Sequence, residues 1–299
     1  MLKNFQYLVE QAKTRGTVTV SVAAAQDREV LEALKAAYDL GLVKAILVGD
    51  EAAIRPLAAE IGLPADVRIV NETDLDKAAL TAASLVRNGE AQILMKGLIN
   101  SSNFLRGALN AECGLRSGRQ LSHFVGFEVP GEEKLIFHTD GGMNVAPGLA
   151  EKKQILTNAL EALKAMGVDK PNVAALTANE QVNPKIPATV DADGLVQAVK
   201  AGEIPECVIE GPIALDVALS TEAAKHKGIK SEISGKVDIF LVPNIESGNV
   251  LGKSLVFYGK AKIAGVILGA THPIVMTSRS DTAEAKTNSI AMACCLVKR

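Results

Sequence analysis

Three short tracts of this chain combine residue types and spacing that suit an anionic substrate. The first is GATHPIVMTSRSDTAEAK (269–286), where an apolar strand ends near Ala270. Ser280 or Asp281 is expected to cap the helix that follows, with Glu284 placed for a capping box. Ser278 and Arg279 then stand just ahead of a helix N-terminus. Unsatisfied N–H groups and the positive end of the helix dipole favour an anion there, and Arg279 adds a planar two-pronged donor. A phosphate or acyl phosphate suits that place; an ordinary capped loop with a surface arginine has the same local pattern. The second tract, VPNIESGNVLGKSL (242–255), ends in Gly252-Lys253-Ser254 like a P-loop. The glycine that motif requires earlier is Ser247 here, with Gly248 one step late, so the sharp turn that wraps amides around a triphosphate is missing. Asn244, Glu246 and Asn249 remain polar candidates for a ligand on a strand-end loop, or form a plain Asn/Gly turn and helix cap. In the third, LMKGLINSSNFLRGAL (94–109), Lys96 closes a strand, and a helix opens with Ser101 or Ser102 as its cap. Arg106 follows one turn in, so cations flank a helix start; a solvated basic edge is the alternative.

Other familiar chemistry is missing. The chain has no G-x-G-x-x-G dinucleotide turn, no G-x-S-x-G nucleophile elbow and no H-E-x-x-H zinc pair. His123, His138, His226 and His272 show no ligand spacing, and no metal or bound cofactor is expected. Cys113, Cys207, Cys294 and Cys295 form no C-x-x-C pair and are expected to be small buried thiols in a reducing compartment.

The elements that must position these tracts alternate along the chain. After an amphipathic first helix carrying Phe5, Leu8 and Val9 come apolar strands at 17–25, 44–49, 67–70 and 93–97, each followed by a helical pattern. Pro56 suggests that the helix capped by Asp50 starts late or kinks. Strands apolar on both faces, each followed by a helix, predict an α/β fold with mainly parallel sheets. Two apolar runs, 121–129 and 134–138, joined by Pro130-Gly131, predict a hairpin inserted into this alternation. Alternation resumes with helices at 149–166 and 192–201, a helix ending near His226 and another near 248–258, with strands at 173–178, 207–212, 238–243 and 264–270 between them. A last helix starts near Thr282.

With 32 basic against 34 acidic residues and 3% aromatics, the chain offers no basic face or stacking platform, so no nucleic-acid partner is expected. No stretch is apolar and long enough to span a membrane, and Asn4, Gln6 and Glu10 interrupt any secretory signal; a cytoplasmic location is expected.

Taken together, the tracts at Ile93–Arg106, Phe137–Pro147, Val242–Gly252 and Ile267–Arg279 resemble the phosphate acetyl/butyryltransferase family in order and separation, over essentially the whole chain. Pro243 to Asn249 and the Ser278-Arg279 pair are the most specific pieces. The resemblance implies a two-domain isopropylmalate-dehydrogenase-like fold with the site in a cleft. Residues 1–128 plus 268–299 would form the first domain and 129–267 the second, in a homodimer or dimer-based oligomer. It implies an acyltransferase of butanoate metabolism that uses acyl-CoA, phosphate and acyl phosphate, with coenzyme A as a substrate rather than a resident group. In that analogy Arg279 binds phosphate and polarises the acyl carbonyl, Ser278 hydrogen-bonds the oxyanion or the thiol, and Arg106 meets coenzyme A. The acetyl branch carries an Asp thought to activate the thiol where this chain has Ala285, which leaves Asp281 or Glu284 as base, or activation from elsewhere. The SRSDTAEAK wording is like the butyryl branch, so butyryl is favoured over acetyl. A phosphate acetyltransferase, a decarboxylating dehydrogenase and a catalytically weak acyl-phosphate or acyl-CoA sensor are the competing readings.

Overall fold

A computed structural model describes residues 2–278 and 281–298. The chain forms two compact units: Phe5–Arg119 with the chain from Ile263 onward (the terminal unit), and Gln120–Lys262 with the residues up to Asn4 (the middle unit).

The terminal unit begins with α1 (Phe5–Thr14), whose Phe5, Leu8, Val9 and Ala12 recur at helical spacing and are all buried. Next come β1 (Val18–Ala23), α2 (Arg28–Asp39), β2 (Val43–Gly49), α3 (Glu51–Ile61), β3 (Arg68–Asn71), α4 (Leu75–Arg87), β4 (Ile93–Lys96) and α5 (Ser101–Ala108). Side chains of Asp27, Asp50 and Asp74 cap α2, α3 and α4. Pro56 neither delays nor ends α3, which starts at Glu51 and runs through it.

The middle unit holds β5 (Ser122–Glu128), β6 (Ile136–Thr139), α6 (Leu149–Ala165), β7 (Asn172–Leu176), α7 (Pro187–Lys200), β8 (Val208–Ile213), α8 (Leu215–Leu219), α9 (Thr221–His226), β9 (Ile239–Leu241) and α10 (Ile245–Phe257). Its strands run in the order β5-β6-β9-β7-β8. The β5–β6 pair is antiparallel, and the other pairs are parallel. The expected hairpin is therefore present, and Phe124 stacks on Phe137 across it at 5.0 Å. Three expectations differ here. Proline is tolerated at a helix start, so α7 begins at Pro187 rather than 192. The helix expected to end at His226 is two, broken at Ser220, whose side chain caps the second. The tract after β9 is helical from Ile245 instead of 248.

The chain closes the terminal unit with β10 (Lys262–Leu268), β11 (Ile274–Val275) and α11 (Ala283–Leu296). Two-residue β11 carries no periodicity and was not foreseen, yet it bridges the sheet, antiparallel to β10 and parallel to β4. The strand order of this unit is β3-β2-β1-β4-β11-β10. Helix α11 is buried at every position from Ala285 to Cys295.

Candidate active site

In the terminal unit the chain winds one way from β1 to β2 to β3 and then returns to place β4 on the other flank of β1. Such a reversal leaves a crevice beyond the carboxyl ends of the two strands, where open α/β sheets take their ligands. The chain leaving β4 crosses directly over the end of β1: Gly97 and Leu98 donate N–H groups to the Ala23 and Ala24 carbonyls at 2.8 and 2.7 Å. A Cβ on Gly97 would lie 2.2 Å from the Ala24 oxygen, so only glycine permits the crossing.

Two neighbours complete the crevice. Pairing of Leu94 with Ile274 and of Met95 with Val275 carries the chain past β11 in the direction of β4, so Thr277 and Ser278 emerge at the same end as Lys96. On the other side α5 starts, held close to α4 because Gly107 lies against the Ala79 methyl and backbone. Lys96, Ile99, Asn100, Ser101, Thr277 and Ser278 line a cavity of ≈ 370 Å³. Lys96 is only 6% exposed, so its ammonium acts with little screening by water. The cap of α5 is Asn100 rather than a serine: its Oδ1 accepts the Asn103 N–H at 2.8 Å. Ser101 and Ser102 occupy the first turn, both exposed, among N–H groups that have no acceptor within the helix.

Arg279 and Ser280 lie outside the described residues. On either side of them, the Ser278 N–H donates to Asp281 Oδ2 at 2.8 Å and the Asp281 N–H to the Ser278 carbonyl at 3.2 Å. These contacts engage the Asp281 carboxylate, and the cap of α11 passes to Thr282, whose hydroxyl accepts the Ala285 N–H at 3.2 Å. The expected cap at Ser280 or Asp281 with a Glu284 box is corrected accordingly. Glu284 stands exposed in the first turn, and Ala285 is buried. Arg106, 70% exposed, pairs with Asp76 at 3.5 Å and is not among the cavity's lining residues.

The remaining candidates belong to the middle unit. Asn244 is a cap, its Oδ1 accepting the Ser247 N–H at 2.9 Å, while Glu246 and Asn249 stand exposed in the first turns of α10. Beside them runs a loop that the motif analysis did not single out for chemistry. Asp140, 2% exposed, accepts N–H groups from Gly142, Met143 and Asn144 at 2.9, 2.9 and 3.2 Å. The Asn144 amide in turn donates to the Leu121 carbonyl at 2.8 Å. The run Asp140-Gly-Gly-Met-Asn144 was the available signal, since an Asp followed by glycines is an Asx-turn pattern. The loop docks on α10 backbone to backbone: a Cβ on Gly248 would lie 2.5 Å from the Gly141 Cα, and the Ile245 N–H donates to the Val145 carbonyl at 3.0 Å. Under this joint His138 is buried against Phe127, and burial, with His123 nearby, drives its pKa down to about 3. It is a neutral ring.

A second cavity, ≈ 330 Å³, opens at the amino ends of β1, β2 and β3 among Tyr38, Leu63 and Arg68. Arg68 is already paired with Glu90 at 2.7 Å, and the strand ends there do not form a switch point. Three of the thiols are buried and poor nucleophiles: burial pushes Cys294 up to about 12, and Cys295 and Cys207 to about 11, whereas Cys113, expected to be buried, is only half-buried.

A crevice at a topological switch point, floored by a buried lysine and rimmed by hydroxyls and a helix start, marks an α/β protein with a place suited to a small anion. Comparison with known proteins gives the particular family: the chain belongs to the Phosphate acetyl/butaryl transferase family, whose sequence model matches residues 65–294. The phosphate butyryltransferase of Clostridium acetobutylicum is 46% identical over 294 residues, 98% of either chain. The phosphate acetyltransferase of Rhizobium meliloti is 38% identical, over 97% of this chain and 92% of its own. The crystal structure of a branched-chain phosphotransacylase from Enterococcus faecalis V583 superposes with a TM-score of 0.82 at 36% identity, covering 94% of this chain and 99% of that one. No helix among the described residues is long and apolar enough to cross a membrane.

Proposed function

We propose that this chain transfers a short-chain acyl group, butyryl favoured, between coenzyme A and inorganic phosphate: butyryl-CoA plus phosphate gives butyryl phosphate plus free coenzyme A. The observation that carries the reading is the Lys96–Ser278 crevice in a chain of this family, 46% identical to a phosphate butyryltransferase. Both substrates are polyanions, so the buried ammonium of Lys96, with Arg106 farther along the same tract and Arg279 next to Ser278 in sequence, offsets their mutual repulsion.

Phosphate attacks the thioester carbonyl while held by Arg279 and Lys96, with Ser101 and Ser102 at the start of α5 as further donors. Ser278 stabilises the tetrahedral oxyanion or hydrogen-bonds the departing sulfur. Attack is direct in a ternary complex, which the raised pKa values of the buried thiols support, and rate comes from alignment and charge stabilisation. In the reverse direction Asp281 or Glu284 takes the thiol proton. Arg106 meets coenzyme A; Asn244, Glu246 and Asn249 at the start of α10 contribute polar substrate contacts. The finer fold description that goes with this reading is the two-domain isopropylmalate-dehydrogenase-like architecture, in a homo-oligomer.

The test is thiol release from butyryl-CoA with and without phosphate. Release that depends on phosphate, and loses most of its rate in Arg279→Ala, is the expected outcome. Near-normal turnover in that variant removes Arg279 from the site. One observation favours a second reading: the base position of the acetyl branch is the buried Ala285, which has no ionisable group. A sensor of acyl phosphate or acyl-CoA would bind butyryl-CoA and release no thiol. Acetyl-CoA turned over faster than butyryl-CoA would favour the acetyltransferase.

A further inference from the structure

Helix α11 is buried from Ala285 to Cys295, and its first turn nevertheless contains a lysine, Lys286, 3% exposed. An ammonium is costly to bury, its Glu29 partner is half-exposed, and such a pair is weak evidence of a stabilising role, since an apolar side chain of similar volume often does as well. What Lys286 reaches is specific. Its Nζ donates to the main-chain carbonyl of Asp281 and to Glu29 Oε2, the latter at 2.8 Å. Glu29 belongs to the first turn of α2, which packs on α11, so the lysine joins the residue preceding the α11 cap to a rigid neighbouring helix. Asp281 passes the restraint on: its carboxylate holds the Ser278 N–H, and its own N–H meets the Ser278 carbonyl. Ser278 lines the Lys96 cavity. An unbroken chain of polar contacts therefore runs from α2 through Lys286 and Asp281 to Ser278.

We propose that Lys286 is a positioning residue: from inside the fold it fixes Asp281, and through Asp281 it holds Ser278 where it lines the cavity with Lys96. The inference rests on the functional reading above and adds to it a residue that touches no substrate. It also gives a physical reason why Asp281 can hold a set orientation without being the helix cap. The charge matters less than the reach, because both acceptors must be met by one donor group at the end of a long stem. Arginine meets both requirements; methionine fills the volume and meets neither.

The test compares Lys286→Met, Lys286→Arg and Glu29→Ala with the wild type in phosphate-dependent thiol release from butyryl-CoA, together with amide hydrogen exchange. Lys286→Met is expected to lose about tenfold or more in kcat through misalignment, with KM for butyryl-CoA within about twofold. Amides of 281–283 and 277–278 should exchange faster, and Lys286→Arg should recover most of the rate. A purely structural lysine would lower the melting temperature and leave kcat of the folded enzyme alone. Lys286→Met with kcat within about twofold of wild type therefore overturns the proposal, whatever exchange shows. If Lys286→Met does not fold, Glu29→Ala decides, because Glu29 is half-exposed and its truncation removes only the outer anchor. A drop in kcat of about threefold with faster exchange at 281–283 supports the proposal, and wild-type behaviour in both overturns it. Wild-type protein that releases no thiol with phosphate defeats the functional reading instead, and exchange at 281–283 then tests the anchoring by itself.

Discussion

His138 converts the packing under the Asp140 loop into a pH dependence that can be calculated. Burial and the neighbouring His123 hold the folded ring's pKa near 3, whereas an unfolded imidazole titrates near its ordinary value of about 6.5. The folded value lies below the unfolded one, so the contribution to stability is whole above about pH 6.5 and is lost progressively as pH falls towards 3. Between pH 7 and pH 5 the unfolded ring goes from about one-quarter to almost fully protonated while the folded ring stays neutral, which removes about 2 kcal/mol. Native-state hydrogen exchange of the β5 and β6 amides reads the opening free energy where His138 resides. His138→Gln adds a constant offset but cannot titrate. The wild type should therefore lose about 2 kcal/mol more than the variant over that interval. Equal losses in the two proteins would mean that the folded ring accepts a proton, and the account of a dry joint between Gly141 and Gly248 would fail.

Three further outcomes follow from the geometry. Gly97→Ala places a methyl 2.2 Å from the Ala24 carbonyl, so the crossing of β4 over β1 must shift; a loss of about 3 kcal/mol or more and of phosphate-dependent activity is expected, and a wild-type melting curve would contradict it. Arg106→Ala removes an exposed pair with Asp76 that is worth under about 1 kcal/mol, so melting should be unchanged while KM for coenzyme A rises; an unaltered KM would detach Arg106 from the coenzyme. In the Lys152–Asp191 pair, 2.6 Å apart, Lys152 is buried and Asp191 is partly wet. Asp191→Asn strands an ammonium and should cost about 3–5 kcal/mol, more than Lys152→Met, as urea unfolding would show; the reverse order would refute the argument.

Elements with strong local signatures were legible in the sequence. The aspartate cap of α3, the alternation of apolar strands with helices and the Pro130-Gly131 hairpin all arise from contacts within a few residues. What escaped depends on partners far along the chain. Strand β11 is two residues long and exists because β4 and β10 flank it. The cap of α11 moved to Thr282 because Asp281 turns back to Ser278, a choice between equally good capping residues that only the fold makes. For the site, the motifs pointed to Lys96 and Ser278 separately, and their meeting in one cavity follows from the parallel register of β11 on β4. The importance of Asp140 was hidden, since an Asp-Gly-Gly run marks a turn but not the burial of its carboxylate.

The enclosure of α11 has a consequence for how the protein is made. Residues 5–119 are synthesised before 283–296, yet α1 and α2 both pack on α11. The middle unit is nearly continuous in the chain, whereas the terminal unit cannot complete its core until α11 has been made, well after its earlier elements.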